Sequence, residues 1–189
     1  MKTIVLMGIK HCGKSTQGKI ISQKLGLPFY DTDDVITLLT GKTPREIYTE
    51  KGAEGFMEAE KNACEYVKNE TALKNKNAVI ATGGGICNNS KAVEILRSFG
   101  TLVYLDIEEK IATARVLREI QVAPDGTLSN MPAYIAKKNP RTIEDAGNIF
   151  HEFFTEREKI YKGITGLSIN VSGSSKSENA DRIIEAVNS

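Results

Sequence analysis

The sequence predicts an α/β fold built on a parallel sheet with helices on both faces. Three observations predict it. Short apolar runs rich in β-branched residues alternate with longer stretches of helical periodicity. The first run, Thr3-Ile-Val-Leu-Met7, has no polar face, as a strand covered on both sides requires. That run then passes through a glycine-bounded turn directly into a helical stretch, the opening of a βα unit.

The elements follow in order. After the strand at Thr3–Met7, apolar Ile20, Ile21 and Leu25 mark a helix over Lys14–Leu25, stopped by Gly26 and Pro28. Pro28–Tyr30 reads as a short strand. Helices are predicted over Asp33–Thr40 and Pro44–Asn69, then a strand over Asn77–Ala81 that Gly83-Gly84-Gly85 ends. A helix at Ser90–Phe99, a strand at Thr101–Leu105 and a helix at Ile107–Ile120 continue the alternation. The chain closes with a helix at Thr142–Tyr161, a strand at Leu167–Val171 and a helix at Ser177–Val187. Gln121–Pro140 lacks periodicity. A loop of this length is a lid, a disordered stretch or a tolerated surface insertion.

Composition narrows the function. The chain has 189 residues, one domain's worth, and 40% of them are hydrophobic, enough for a substantial core. A net charge of +1 gives no broad basic surface, so neither nucleic acid nor a membrane is expected as a partner. Cys12, Cys64 and Cys87 show no metal-ligand spacing, and three is an odd count, so free thiols and a reducing compartment are expected. The apolar run Ile4–Met7 is too short for a signal peptide, and a cytoplasmic location is the expectation.

Gly8-Ile-Lys-His-Cys-Gly-Lys-Ser15 fits the pattern G-x-x-x-x-G-K-[ST]. The glycines let backbone N–H groups curl around an anion, and the helix that follows adds the positive end of its dipole. Lys14 can reach the β and γ phosphates, and the Ser15 hydroxyl can ligate Mg²⁺. Gly8, Cys12, Gly13, Lys14, Ser15 and Thr16 are therefore the candidate nucleotide-binding residues, with Cys12 a small filler. The competing reading is a glycine-rich turn with an incidental Lys-Ser. His11 either touches a phosphate or is merely exposed, and His151, among Phe150, Phe153 and Phe154, reads as structural.

Downstream, Asp31-Thr-Asp33 ends the short strand. Two acids at i and i+2 of a strand project to one side, at the end where open α/β sheets bind ligands. One acid can hold Mg²⁺ and the other can orient or deprotonate an acceptor hydroxyl. A plain helix cap is the alternative, although a cap needs only one acid. The three glycines Gly83–Gly85 leave room for close backbone approach or for a tight turn.

Together with the phosphate loop, the ordered stretches DTD (Asp31–Asp33), TGKTPREIY (Thr40–Tyr48), GFMEAE (Gly55–Glu60), TGGG (Thr82–Gly85), VYLDI (Val103–Ile107) and REKIY (Arg157–Tyr161) resemble the shikimate kinases over most of the chain. The resemblance implies one domain over residues 1–189, with a P-loop kinase fold and a five-stranded parallel sheet. It also implies a substrate-binding helical region at about 31–62, a lid at about 121–142 and a monomer. It implies transfer of the ATP γ-phosphoryl group, with Mg²⁺, to a hydroxyl of shikimate, a step of aromatic amino acid biosynthesis. By resemblance, Asp31 organises Mg²⁺, Asp33 binds the acceptor hydroxyl and acts as its base, and Gly83, Gly84 and Gly85 approach the substrate. Arg157 grips the substrate carboxylate, Arg115 lies against adenine, and Val171–Lys176 takes the place of the adenine loop.

Two positions depart from the family's pattern. Met57 stands where an arginine follows the phenylalanine and pairs the substrate carboxylate, and Met131 stands where the lid carries its arginine. A lost hydrogen bond to a charged group costs about 1.5–3 kcal/mol. Arg118, Lys137, Lys138 and Arg141 are candidate replacements for the lid charge, and Arg45 or Lys61 for the acceptor side. Two alternatives follow: a kinase of this fold with another acceptor, and an ATP-binding regulatory module without transfer chemistry. Retention of Lys14, Ser15, Asp31 and Asp33 argues against the second.

Overall fold

The structure, a computed structural model, describes residues 2–189. Its main sheet has five parallel strands in the order β2 (Phe29–Asp31), β3 (Val79–Ala81), β1 (Thr3–Met7), β4 (Gly100–Asp106) and β7 (Leu167–Asn170). All five residues of β1 are buried, so both faces of the central strand are covered, as the unbroken apolar run predicts. Leu6, Ala81 and Asp31 lie level across three neighbouring strands. Parallel strands in this register deliver the loops that follow β1, β2 and β3 to one edge of the sheet, and the site is built there.

The helices are α1 (Lys14–Leu25), α2 (Thr32–Thr40), α3 (Pro44–Leu73), α4 (Ser90–Phe99), α5 (Glu109–Glu119), α7 (Ile143–Ile164) and α8 (Lys176–Asn188), with a one-turn α6 at Ala133–Ala136. The capping boxes Thr43/Glu46, Thr142/Asp145 and Ser175/Glu178 start α3, α7 and α8 by satisfying N-terminal donors on both sides. Helix α1 packs on α8, α3 on α2 and α4, and α7 on α5. Three elements differ from the sequence reading. Helix α3 runs on to Leu73 but breaks at Gly52, whose φ of 69° and ψ of −166° only glycine adopts readily. Helix α5 starts at Glu109, because β4 continues through Asp106 and Ile107 is buried beyond its end. The segment without periodicity holds a hairpin, β5 (Gln121–Val122) against β6 (Leu128–Ser129), and then α6. Two-residue strands and a single helical turn are too short to carry a period.

No helix among the described residues is long and apolar enough to cross a membrane. The three cysteines are free and buried.

Gly100 begins β4 beside Thr3 of β1. A Cβ there would lie 2.7 Å from Val5 Cγ2 and 3.1 Å from the Thr3 carbonyl oxygen. Gly100→Ala is therefore expected to destabilise the fold by about 1–3 kcal/mol. Urea denaturation checks this, and a midpoint equal to or above the parent's would overturn the packing argument.

Candidate active site

The phosphate loop runs from Gly8 to the N-terminus of α1. Gly8 (φ 147°) and Gly13 (φ 100°) bend it, and a Cβ on Gly8 would sit 2.8 Å from Cys12 Sγ and 3.1 Å from the Leu105 carbonyl oxygen. Gly13 caps α1 without a side-chain hydrogen bond, and the first turn carries no acid. The leading N–H groups and the dipole are thus left to an anion. Lys14 is only 8% exposed, and its Nζ donates to the Gly8 and Ile9 carbonyls at 2.8 Å each, with Cys12 Sγ at 3.8 Å. The ammonium is held inside the loop by the loop's own backbone.

Ser15 Oγ donates to Asp31 Oδ2 at 2.6 Å, and Thr16 follows, exposed. These are hard oxygen donors, the type Mg²⁺ takes. Among the described residues no group of three or more His, Cys, Asp or Glu could hold a metal. A divalent ion here would rest on one or two protein oxygens, phosphate and water, which is how Mg²⁺ commonly binds.

The strand argument for the two acids is corrected by the structure. Asp31 is the last residue of β2 and the N-cap of α2, accepting the Asp33 N–H at 3.1 Å, while Asp33 already lies in the helix. The cap turn, not strand alternation, brings the carboxylates together. Asp31 is therefore both a cap and a partner of Ser15. Burial, then the nearby charge of Asp31, pushes the Asp33 carboxyl above its usual range, against a lowering pull from Lys14.

The glycine loop lies between these groups and α7. Gly83 N donates to Thr32 Oγ1 at 3.0 Å, and Tyr161 Oη donates to the Gly84 carbonyl at 3.0 Å. A Cβ on Gly84 would lie 2.8 Å from the Lys10 backbone nitrogen, so the glycine loop rests directly on the phosphate loop. A Cβ on Gly83 would meet Asp33 Oδ1 at 3.1 Å and Glu60 Oε1 at 3.2 Å. Gly85 is open.

Glu60 was not singled out in the sequence. It lies three residues after Met57, on the same side of α3, and an acid there is the signal that could have marked it. It is 1% exposed, Asn89 Nδ2 donates to its Oε2 at 3.0 Å, and its Oε1 has no hydrogen-bond partner among the described residues. Burial pushes its carboxyl up to about 7, with Asn89 opposing and the nearby Asp33 charge adding. Met57 leaves its side chain 37% exposed and gives only its carbonyl oxygen, to Asn89 Nδ2 at 2.7 Å. Among the described residues no lysine or arginine bonds Glu60.

Arg157 reaches the loop from α7. Its Nη1 donates to Cys87 Sγ at 3.1 Å, just past Gly85, and its guanidinium lies 4.9 Å from the Phe153 ring centroid. Arg115 is exposed and donates from Nη1 to the His11 carbonyl at 2.7 Å, on the crest of the phosphate loop. His11 is half-buried with φ 66°, its Nε2 3.1 Å from Glu119 Oε2. His151 is exposed on α7 and pairs with Glu109 at 2.6 Å, so it lies outside the aromatic packing it was grouped with. Met131 packs against the core. Lys137 contacts the Tyr48 hydroxyl and ring, Lys138 pairs with Glu152, and Lys61 pairs with Glu58. Arg45, Arg118 and Arg141 are exposed, and Arg141 donates its backbone N–H to Asp145.

The Glu60 environment makes stability depend on pH. Its carboxyl rises from an ordinary 4.5 to about 7 in the fold, roughly 3 kcal/mol against ionising it. Between those values the native chain binds the extra proton, so stability falls as pH rises through this window and stays lower above it. Glu60→Gln removes the ionisation. The variant should melt close to the parent at pH 5 and clearly above it at pH 8, and a gap that does not change with pH would reject the assignment.

Comparison with known proteins bears on the whole chain. The family model for shikimate kinase matches residues 10–188. A shikimate kinase of Caldanaerobacter subterraneus subsp. tengcongensis is 32% identical over 186 residues, 98% of this chain and 96% of the relative. One from Persephonella marina is 32% identical over 85% of this chain and 84% of the relative. Among solved structures, the shikimate kinase of Aquifex aeolicus superposes with a TM-score of 0.71 at 26% identity, covering 98% of this chain and 96% of that one. The Acinetobacter baumannii shikimate kinase solved in complex with shikimate gives a TM-score of 0.76 at 24% identity, covering 98% and 92%. From its phosphate loop to its last helix, this chain belongs to the shikimate kinase family.

Proposed function

We propose that this protein transfers the γ-phosphoryl group of ATP to a hydroxyl of shikimate, giving shikimate 3-phosphate. The observation that carries the reading is the seating of the glycine loop, with Asp33 and Glu60 about Gly83, directly on the phosphate loop at Gly84 and Lys10. Donor and acceptor cradles share one seam, in a chain whose relatives, matched over nearly their full length, are named shikimate kinases.

The residues divide the work. Lys14 exchanges its loop carbonyls for phosphate oxygens, and the N–H groups at the start of α1 bind the same chain of phosphates. Ser15 and Asp31 would hold Mg²⁺, which when bound offsets charge on the phosphates. Asp33 orients the acceptor hydroxyl. The acceptor oxygen bonds to the γ phosphorus, the bond from that phosphorus to the bridging oxygen breaks, the proton passes to Asp33, and ADP leaves. Burial raises the basicity of Asp33 for that task. Arg157 binds the acceptor carboxylate, and Gly83–Gly85 supply close backbone. Residues 31–62 form the substrate-binding region, residues 121–142 the lid, and the protein acts as a monomer.

A coupled assay of ADP release tests this. Shikimate should raise turnover to ~1 s⁻¹ or more, and no increase over the rate with ATP alone would reject the reading. Asp33→Asn should lower kcat by ~10²–10⁴-fold with ATP affinity nearly kept, and unchanged turnover would remove Asp33 as the base. Met57→Arg adds a guanidinium beside the acid-lined loop and should lower the KM for shikimate roughly tenfold or more. An unchanged KM would mean that the pocket is closed around methionine.

A further inference from the structure

We propose that Lys10, carried by the phosphate loop itself, supplies the positive charge on the transferring phosphoryl group that the lid lacks at Met131, and that Glu119 holds Lys10 until a phosphate displaces it. The inference rests on the kinase reading above. Position comes first. The phosphoryl group must cross from the phosphate loop to the glycine loop, and the two meet where the Lys10 backbone lies against Gly84. Lys10 is thus the residue of the loop that stands at the crossing point, and its side chain is half-exposed rather than packed into the core.

The lid offers less. Met131 turns toward the core, and Lys137 and Lys138 are engaged by Tyr48 and Glu152. Arg141 borders a cleft within the lid itself, beside Asp125, Met131 and Asn139.

Among the described residues Lys10 Nζ has one partner, Glu119 Oε2 at 3.0 Å, and that oxygen is also 3.1 Å from His11 Nε2. One carboxylate therefore faces both Lys10 and His11. The Lys10–Glu119 pair is open to solvent, with 50% and 39% of the two side chains exposed, so it is weakly held and easily exchanged. A triphosphate brings more charge to the same place and outcompetes a single carboxylate. Glu119 is also the last residue of α5, its carbonyl accepts Asn130 Nδ2 at 2.9 Å, and the lid hairpin starts two residues on. The carboxylate that Lys10 would leave is thus anchored at the base of the lid. In this scheme Lys10 is a catalytic residue and Glu119 a positioning residue. The reaction is the one written above, with Lys10 bonding the oxygens of the phosphoryl group in flight and no change in its atom balance.

The test compares Lys10→Met, Lys10→Arg and Glu119→Gln with the parent. The probes are ATP and ADP binding by calorimetry, ADP with aluminium fluoride and shikimate as a mimic of the transition state, and turnover. Lys10→Met should lower kcat by ~10²-fold or more and weaken the aluminium fluoride complex to a similar degree. It should shift ADP affinity by less than about threefold, and Lys10→Arg should recover most of the rate. Glu119→Gln should tighten ATP binding a few-fold, a gain that mere structural damage does not give. A Lys10→Met enzyme with parental kcat, or with ADP affinity lost as much as kcat, overturns the catalytic assignment. Weaker ATP binding by Glu119→Gln overturns the latch. If the parent shows no turnover with shikimate, the kinase reading fails instead, and the ATP affinities of Glu119→Gln and Lys10→Met still decide whether Glu119 and phosphate compete for Lys10.

Discussion

The contact of Gly84 with the backbone of Lys10 sets the geometry of everything around it. It is main chain against main chain, with no room for a Cβ. The sheet prepares it, because β1 and β3 are neighbours with Leu6 and Ala81 in register, and Thr82 returns both its N–H and its hydroxyl to the Leu6 carbonyl. Thr32 and Tyr161 then tie the glycine loop from either side. Phosphoryl transfer needs reacting atoms held within narrow limits, and displacement by ~1 Å can cost ~10²-fold in rate. A contact made only of backbone is well suited to this, since it has no rotamers to sample.

Charge is distributed unevenly about that contact. On the donor side Lys14 is satisfied by carbonyl oxygens of its own loop, and among the described residues no carboxylate bonds it. On the other side of the contact the buried carboxyl of Glu60 and the half-buried one of Asp33 crowd Gly83, and Met57, one turn of α3 before Glu60, brings no charge. The acids are left to share their burden with Asn89 and with each other. Burying the Glu60 carboxyl with no bonded cation costs stability, and the fold carries that cost beside the glycine loop. The guanidinium of Arg157 is turned to Cys87 and Phe153.

Most of the fold was legible because its signals are local. The apolar run of β1, the glycine turn and the helix after it specify one another within 25 residues. The internal structure of residues 121–142 was not legible, since its hairpin has two-residue strands and α6 a single turn. The break at Gly52 was hidden because helix signals continue on both sides of it. In the site, the phosphate loop and Asp31 could be read from motif and spacing. The partnership of Asp31 and Asp33 was read for the wrong reason, because a cap turn mimics the convergence of strand alternation. Glu60 and Glu119 escaped notice since their roles depend on contacts far along the chain, with Asn89 and with Lys10. Arg157 stood out only by family resemblance, and its partner Cys87 belongs to another part of the sequence.

The central position of β1 has a consequence for biosynthesis. Ile4 pairs with Val79 on one side and Thr101 on the other, so the apolar central strand precedes both partners by a long stretch of chain. Ribosomes extend a chain at about 5–20 residues per second, which leaves β1 unpaired for several seconds after it emerges. During that interval it is a bare apolar segment with open edges on both sides, the kind of sequence that chaperones bind and that nascent chains aggregate through. The feature that centres the phosphate loop in the finished protein thus also leaves an apolar strand waiting for both its partners during synthesis.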